Sequence, residues 1–331
     1  MRKQGFYVCL YFYLMFPANI IGLWWAVGSP LVMEPNKICR KNRKLSGKQR
    51  QICRREKEIV DEVVNGAKLA IAECQYQFQY RRWNCTTARK SFSRILRRET
   101  RESAFVHAIT AAGALFTIGK ACAEERLKCG CKPDKHQSDG PKGALWIGCD
   151  DGVNYGYEKS KEFIDEVGGD DLNTKIRLHN QEAGRLAVSK HMEVRCKCHG
   201  WATACGLKTC WKVMPSFRDI GTRLLEQFSQ ADRVRMSADG KLVSRWLKEP
   251  PAKEALVYAK LSQNFCEPRK KYGSLGTHGR LCNETELGLG GCELMCCGRG
   301  YSMAEEMVTE TCNCEFNCET CSYAQNITRC L

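Results

Sequence analysis

The residues with the clearest potential for chemistry form one cysteine-rich stretch, CKCHGWATACGLKTCW, within residues 194–213. Alternating cysteines around a glycine-containing centre predict that this stretch is a β-hairpin. The simplest pairing joins Cys198 to Cys205 at the tip and Cys196 to Cys210 at the base. Two such bonds would hold the loop as a rigid finger without a hydrophobic core beneath it.

Zinc binding is an alternative interpretation of the same stretch. Cys196, Cys198, His199 and Cys205 are zinc ligands by type, but C-x-C-H lacks the wider cysteine spacing of zinc ribbons. A disulfide knot with a purely structural role is a second alternative. The functional hypothesis is a finger whose tip contacts a partner.

The elements that must position this finger are helical. Apolar residues recur at helical spacing on both sides of it, which predicts amphipathic helices with one buried stripe each. In the second helix that stripe contains Phe105, Ile109 and Leu115. The predicted helices cover residues 59–78, 100–127, 157–167, 171–191 and 215–228.

The composition changes after Glu249-Pro250-Pro251. Cysteines and glycines become dense from Phe265 onward, which is typical of a small disulfide-stapled β module without a sufficient core of its own. The sequence therefore predicts a disulfide-rich α+β protein. A helical domain carrying the hairpin covers 29–248, a linker 249–264 and a cysteine-rich β domain 265–331.

The amino terminus predicts export. A short basic start and an apolar run are typical of a signal peptide over residues 1–28, with an uncleaved anchor as the alternative because the run is long. We expect no later apolar stretch to cross a bilayer. Cleavage would remove Cys9 from the 23 cysteines and leave an even number, which suits a complete disulfide framework. Acceptor sequons at Asn84, Asn283 and Asn326 agree with export.

The formal net charge is +15, and much of it lies near the amino terminus. Because an exported chain meets little nucleic acid, the polyanion expected as a partner is sulfated glycosaminoglycan, with a solvated basic face as the alternative. The basic residues of this segment are Arg40, Lys41, Arg43, Lys44, Lys48, Arg50, Arg54 and Arg55.

The hairpin stretch resembles C-K-C-H-G-x-S-G-S-C-x-x-K-T-C-W, the signature of the Wnt family of secreted signals. The resemblance covers almost the whole mature chain, and around residues 24–40 it is greatest to the sixth Wnt subfamily. Further matching motifs are CQYQF at 74–78, RWNC at 82–85, FVHAI at 105–109, HNQEAGR at 179–185, FRDIG at 217–221, GTHGRLCN at 276–283 and CCGRGY at 296–301.

The resemblance implies a ligand that grips the cysteine-rich domain of Frizzled between two fingers, the thumb hairpin and a C-terminal index finger. In the family, the serine before the tip cysteine carries a monounsaturated acyl chain that fills a groove in Frizzled. Here that position is Ala204, so we expect no acylation there, with Thr203 as the nearest alternative hydroxyl and membrane association only if the chain is acylated. The expected receptor contacts are Trp201, Ala202, Thr203, Ala204 and Phe316.

The second finger also departs from the family pattern, because the usual His-Trp-Cys-Cys tip is absent after Phe316. Within the remaining framework, Cys74 and Cys85 can close a turn, and four cysteines, Cys122, Cys129, Cys131 and Cys149, bound an exposed loop at 132–143. The pairs implied by resemblance are Cys266–Cys297, Cys282–Cys292, Cys296–Cys330, Cys312–Cys321 and Cys314–Cys318.

The predicted function is that of a secreted Wnt-like ligand for Frizzled and LRP-type co-receptors, acting in development. A binding-only or antagonist protein is the alternative, and a secreted disulfide-rich enzyme is the third hypothesis. The sequence contains no nucleophile elbow or H-E-x-x-H motif, and its histidines are scattered, so we assign no catalytic residue, metal or cofactor.

Overall fold

The computed structural model describes residues 39, 45, 47–86, 89–130, 144–146, 151–165, 169–199, 207–286, 288, 290–312 and 319–331. The predicted signal peptide, the loop 132–143 and both finger tips lie outside these residues. The chain divides into two compact units. The first contains residues 1–73 and 93–261, and the second contains residues 74–92 and 262–331.

The helices are α1 (Gly47–Arg55), α2 (Lys57–Gln77), α3 (Arg89–Leu96), α4 (Arg101–Ala123), α5 (Asp151–Ile164), α6 (Leu172–Ser189), α7 (Phe217–Ser229) and α8 (Cys292–Met295). The strands are β1 (Ala144–Trp146), β2 (Glu193–His199), β3 (Leu207–Val213), β4 (Asp232–Met236), β5 (Leu242–Ser244), β6 (Val257–Tyr258), β7 (Pro268–Arg269), β8 (Ser274–Leu275), β9 (Tyr301–Cys312) and β10 (Glu319–Cys330). The mixed α+β, disulfide-rich class predicted from the sequence is confirmed. Helices α1 and α3 and the small sheet of β5, β4 and β6 were not predicted from the sequence.

Helix α4 is the centre of the first unit, which also contains α5, α6, α7 and all of α2 up to Glu73. The prediction of a single buried stripe was wrong for this helix, because every residue from 102 to 115 is buried. Its length and composition would allow it to cross a membrane, but 78 % of the apolar window is buried inside the protein, as in a core helix. Burial and the neighbouring charge of Arg177 lower the pKa of His107 to about 3, so this core histidine is neutral at physiological pH.

Close helix packing explains the small residues of α4 and α6. A Cβ atom at Gly184 would lie 1.9 Å from the backbone oxygen of Ala108, and one at Gly113 would lie 2.3 Å from the oxygen of Gly66. These glycines therefore let α6 approach α4, and α4 approach α2, backbone to backbone. The contact orients α6, whose carboxyl end is separated from β2 by only a few residues.

Buried polar contacts fix α6 further. The guanidinium of Arg185 is fully buried and donates to Asp165 at 3.0 and 2.6 Å and to Glu182 at 3.2 Å. Burial outweighs this ion pair at the carboxylate, and it raises the pKa of Asp165. The side chain of Asn180 accepts from the Val257 amide at 2.8 Å and donates to the Val257 carbonyl at 2.9 Å, which ties α6 to β6.

The second unit joins residues 74–92 to the C-terminal segment. Arg280 donates to the backbone oxygens of Gln79, Arg81 and Arg82, and Trp83 lies against Phe265. These partners are about 200 positions away from Arg280 along the chain. Local sequence patterns do not report such a separation, and residues 74–92 were therefore predicted as part of the helical domain. The predicted linker at 249–264 stays a prediction.

Candidate functional site

The first finger is the antiparallel hairpin β2–β3, with Cys196 directly opposite Cys210 in the register. A disulfide joins these two residues. Strand β1 pairs parallel to β3 along Lys208–Cys210, a supporting contact that the sequence analysis did not predict. Thr209 and Cys210 are buried at this base, whereas every residue of β2 is exposed. A rigid base thus carries a hairpin that extends into solvent.

The last described pair of this hairpin is His199 with Leu207, and the segment 200–206 connects these two residues along the chain. The predicted contacts in this segment are Trp201, Ala202, Thr203 and Ala204, and they lie outside the described residues, as does Cys205.

Cys198 is disulfide-bonded, as is Cys196. Oxidised cysteines offer no thiolate, so the alternative of a zinc site at these two residues is wrong.

The second finger is the antiparallel hairpin β9–β10, in which Tyr301 pairs with Cys330 and Cys312 with Glu319. Its connecting loop, with Phe316, Cys314 and Cys318, lies outside the described residues. Cys321 is disulfide-bonded. The hairpin is anchored at its base by Cys296–Cys330. Both candidate fingers therefore rise from disulfide-held bases, one in each unit.

The remaining described disulfides are Cys39–Cys53, Cys74–Cys85, Cys122–Cys129, Cys266–Cys297 and Cys282–Cys292. The partner of Cys39 could not be assigned from the sequence, whereas the last two pairs are those that the resemblance implied. Cys131 and Cys149 lie outside the described residues.

One cluster in the described part of the chain has metal-ligand residue types. The sulfur atoms of Cys282, Cys296 and Cys330 lie within 4.8 Å of one another. All three are in disulfides, to Cys292 or to one another, so they have no thiolate to offer a metal.

Helix α1 carries the described part of the basic segment. It buries Gln49 and Ile52 and ends in Arg54 and Arg55. A surface cavity of about 440 Å³ is lined by Gly47, Arg50, Gln51, Arg54 and Arg55. The predicted polyanion contacts Arg40, Lys41, Arg43 and Lys44 lie outside the described residues. The helix therefore places Arg50, Arg54 and Arg55 along one surface.

Two of the three sequons contain a threonine-to-asparagine hydrogen bond, and the third lies on a strand. The Thr285 hydroxyl and amide both donate to the Asn283 side-chain oxygen, at 2.9 and 3.1 Å. The Thr86 hydroxyl donates to the Asn84 side chain in the same way. Asn326 is exposed in the middle of β10.

Two disulfide-held hairpins and a basic helix define the class of this protein, a disulfide-rich α+β protein with two hairpin fingers. A model described as the wnt family matches residues 41–331, and the chain belongs to that family. It is 44 % identical to Wnt-6 of Mus musculus over 96 % of both chains, which confirms the resemblance to the sixth subfamily. It is 40 % identical to Wnt-5a of Xenopus laevis, over 89 % of this chain and 83 % of the relative.

The fold is also that of a solved relative. A chain in the structure "Human WLS in complex with WNT8A" superposes with a TM-score of 0.64 and 32 % identity, covering 84 % of this chain and 95 % of that chain. With the family shown, the protein is a secreted Wnt signalling ligand stabilised by disulfides.

The framework predicts that the mature protein has no free thiol. We expect thiol labelling of the denatured, unreduced protein to mark no cysteine, because an even set can pair completely in an oxidising compartment. Reduction before labelling is the positive control. Two or more labelled cysteines without reduction would contradict a complete framework.

Proposed function

We propose that this chain binds the cysteine-rich domain of Frizzled through both fingers and does so without an acyl group. The observation that carries the proposal is a rigid, disulfide-held hairpin base beneath a tip that has Ala204 in place of the acylated serine. A methyl group cannot form an ester. Thr203 offers a hydroxyl one position earlier, but its β-branched carbon restricts the side chain in a stapled loop.

Membership of the Wnt family supports the other proposed partners, and the missing hydroxyl at position 204 bears on export. We assign an LRP-type co-receptor, a role in development and residence in the extracellular matrix to this chain as part of the proposal. In the solved relative, WNT8A is in complex with human WLS. Because Ala204 has no hydroxyl, we expect this chain to reach the medium without that partner.

Binding of purified protein to the Frizzled domain tests the proposal, with metabolic labelling by an alkyne fatty acid in parallel. We expect measurable binding and no label. Thr203→Ala is the matched variant: a label on the wild type that this change abolishes would place the acyl group at Thr203 and overturn the lipid-free proposal. Absence of any binding would contradict receptor recognition itself.

A binding-only or antagonist protein remains the second candidate, favoured by the altered tips of both fingers. A Wnt-responsive reporter distinguishes the two. An agonist raises the reporter alone, whereas an antagonist only lowers the response to an added Wnt.

We further propose that α1 binds heparan sulfate. Neutralising Arg50, Arg54 and Arg55 to Gln removes three positive charges that would contact sulfate groups. Because salt screens exposed charge contacts, the variant with fewer of them should elute from heparin at clearly lower salt. The control neutralises Arg235, Lys253 and Arg269, which removes the same charge from exposed positions elsewhere. Equal shifts in both variants would show that retention depends on net charge and not on this helix.

A further inference from the structure

The sequon at Asn326 lies on a strand, and the strand register decides which face of the second finger it occupies. Glu305 lies directly opposite Asn326 on β9. Residues two positions from Glu305 on the same strand point to the same face, so Met303 and Met307 are the diagonal neighbours of Asn326. We call the surface of Met303, Met307 and Asn326 the methionine face.

Side-chain contacts agree with this division into two faces. The hydroxyls of Thr309 and Ser322, which the register puts on the methionine face, lie 3.2 Å apart. On the opposite face Arg329 donates to Glu306 at 3.1 and 2.9 Å. The second finger is thus a two-sided ribbon whose faces differ in chemistry.

The methionine face is open to solvent. Met303 is 62 % exposed and Met307 is 68 % exposed, and Asn326 between them is exposed as well. Thioethers this accessible are readily oxidised, and an exposed two-stranded ribbon with apolar side chains invites association with other chains. A hydrophilic group attached at Asn326 would cover both methionines at once.

We propose that Asn326 is N-glycosylated and that its glycan shields the methionine face. In the transfer, the Asn326 amide nitrogen attacks the anomeric carbon of an oligosaccharide linked to a lipid pyrophosphate. The new carbon–nitrogen bond forms as the carbon–oxygen bond to the pyrophosphate breaks. The amide gives up one proton, and the lipid pyrophosphate is the leaving group. Export through the secretory pathway supplies this donor, and Thr328 completes the acceptor sequence.

Occupancy is measured on protein secreted from mammalian cells. Enzymatic deglycosylation in heavy-oxygen water converts a modified asparagine to a labelled aspartate, which peptide mass spectrometry locates. We expect the label at position 326 in the wild type and its loss in Thr328→Ala, which keeps the asparagine. An unlabelled wild-type peptide would overturn the assignment.

Shielding is measured by the rate of peroxide oxidation at each methionine. We expect Thr328→Ala, or enzymatic removal of the glycan, to raise the rates at Met303 and Met307 severalfold. Met295 is fully buried and serves as the slow internal reference. Unchanged rates at both exposed methionines, with Asn326 shown to be occupied, would overturn the shielding.

Moving the glycan to the other face is the sharpest control. The triple variant Gln325→Asn, Asn326→Gln, Ile327→Thr shifts the sequon by one residue and therefore to the opposite face. Both methionines should then oxidise as fast as in Thr328→Ala although a glycan is present. Protection that persisted would mean that any nearby glycan suffices, and it would overturn shielding by a glycan on the methionine face.

A consequence for binding rests on the proposed function. If the second finger contacts Frizzled, the face that this glycan does not cover is the one with Val308 and Tyr323. The relocated glycan should then lower Frizzled affinity at least tenfold, while the wild-type glycan leaves it equal to that of Thr328→Ala. Equal affinity of all three forms would overturn this consequence. Absence of binding by every form would count against the proposed function and leave the mass-spectrometric result standing.

Discussion

Substituting Ala204→Ser should produce a large gain in Frizzled affinity together with new acylation. The substitution restores a hydroxyl directly before Cys205, where the family carries its acyl ester. Burial of an acyl chain contributes roughly 0.8 kcal/mol per CH₂ group on membrane scales. Ten buried groups would correspond to roughly 8 kcal/mol, and discounting half of this for ordering and incomplete burial still leaves about three decades in Kd.

The measurement is equilibrium binding of the Frizzled domain to wild type and variant, with alkyne fatty acid labelling of both. Ala202→Ser is the matched control, because it adds a hydroxyl to the same loop away from the tip cysteine. Labelled Ala204→Ser protein with unchanged affinity would show that the hairpin no longer aligns with the acyl groove. An unlabelled variant would show that the altered tip is not a substrate for acylation.

Substituting Gly184→Ala should destabilise the first unit severely. The added Cβ would lie 1.9 Å from the Ala108 oxygen and 2.5 Å from its carbonyl carbon, both of which are backbone atoms of a buried helix. Overpacking of a core costs about 1–3 kcal/mol where side chains can move aside. Here two helix backbones must separate, so we expect a loss above about 3 kcal/mol and poor secretion.

The free energy of unfolding from denaturant titration measures this effect, with secreted yield as a second readout. Gly47→Ala is the control, since it adds the same atom to α1 at a position with no neighbour within 4 Å. That change should be neutral or slightly stabilising, because alanine favours helix over glycine. A loss below about 1 kcal/mol at Gly184 would mean that α4 and α6 separate easily.

Local patterns along the chain were enough to predict the main helices and the first hairpin. Helical spacing of apolar residues indicated α2, α4, α6 and α7, because an amphipathic face is a property of neighbours three or four positions apart. Alternating cysteines with a central glycine indicated β2–β3. The nested spacing also indicated the pair Cys196–Cys210, and the loss of the serine at position 204 was visible directly.

Only the tertiary structure decided which distant segments meet. Strand β1 supports the base of the first finger, and Arg280 gathers the backbone oxygens of residues 79–82, although neither contact has a local signal. Helix α4 is buried all round because other helices pack on several of its sides. A pattern with one apolar stripe does not predict such burial. Likewise, the sequon at Asn326 was plain in the sequence, but its place beside Met303 and Met307 depends on cross-strand register. Register is set by pairing between strands, and no single strand encodes it alone.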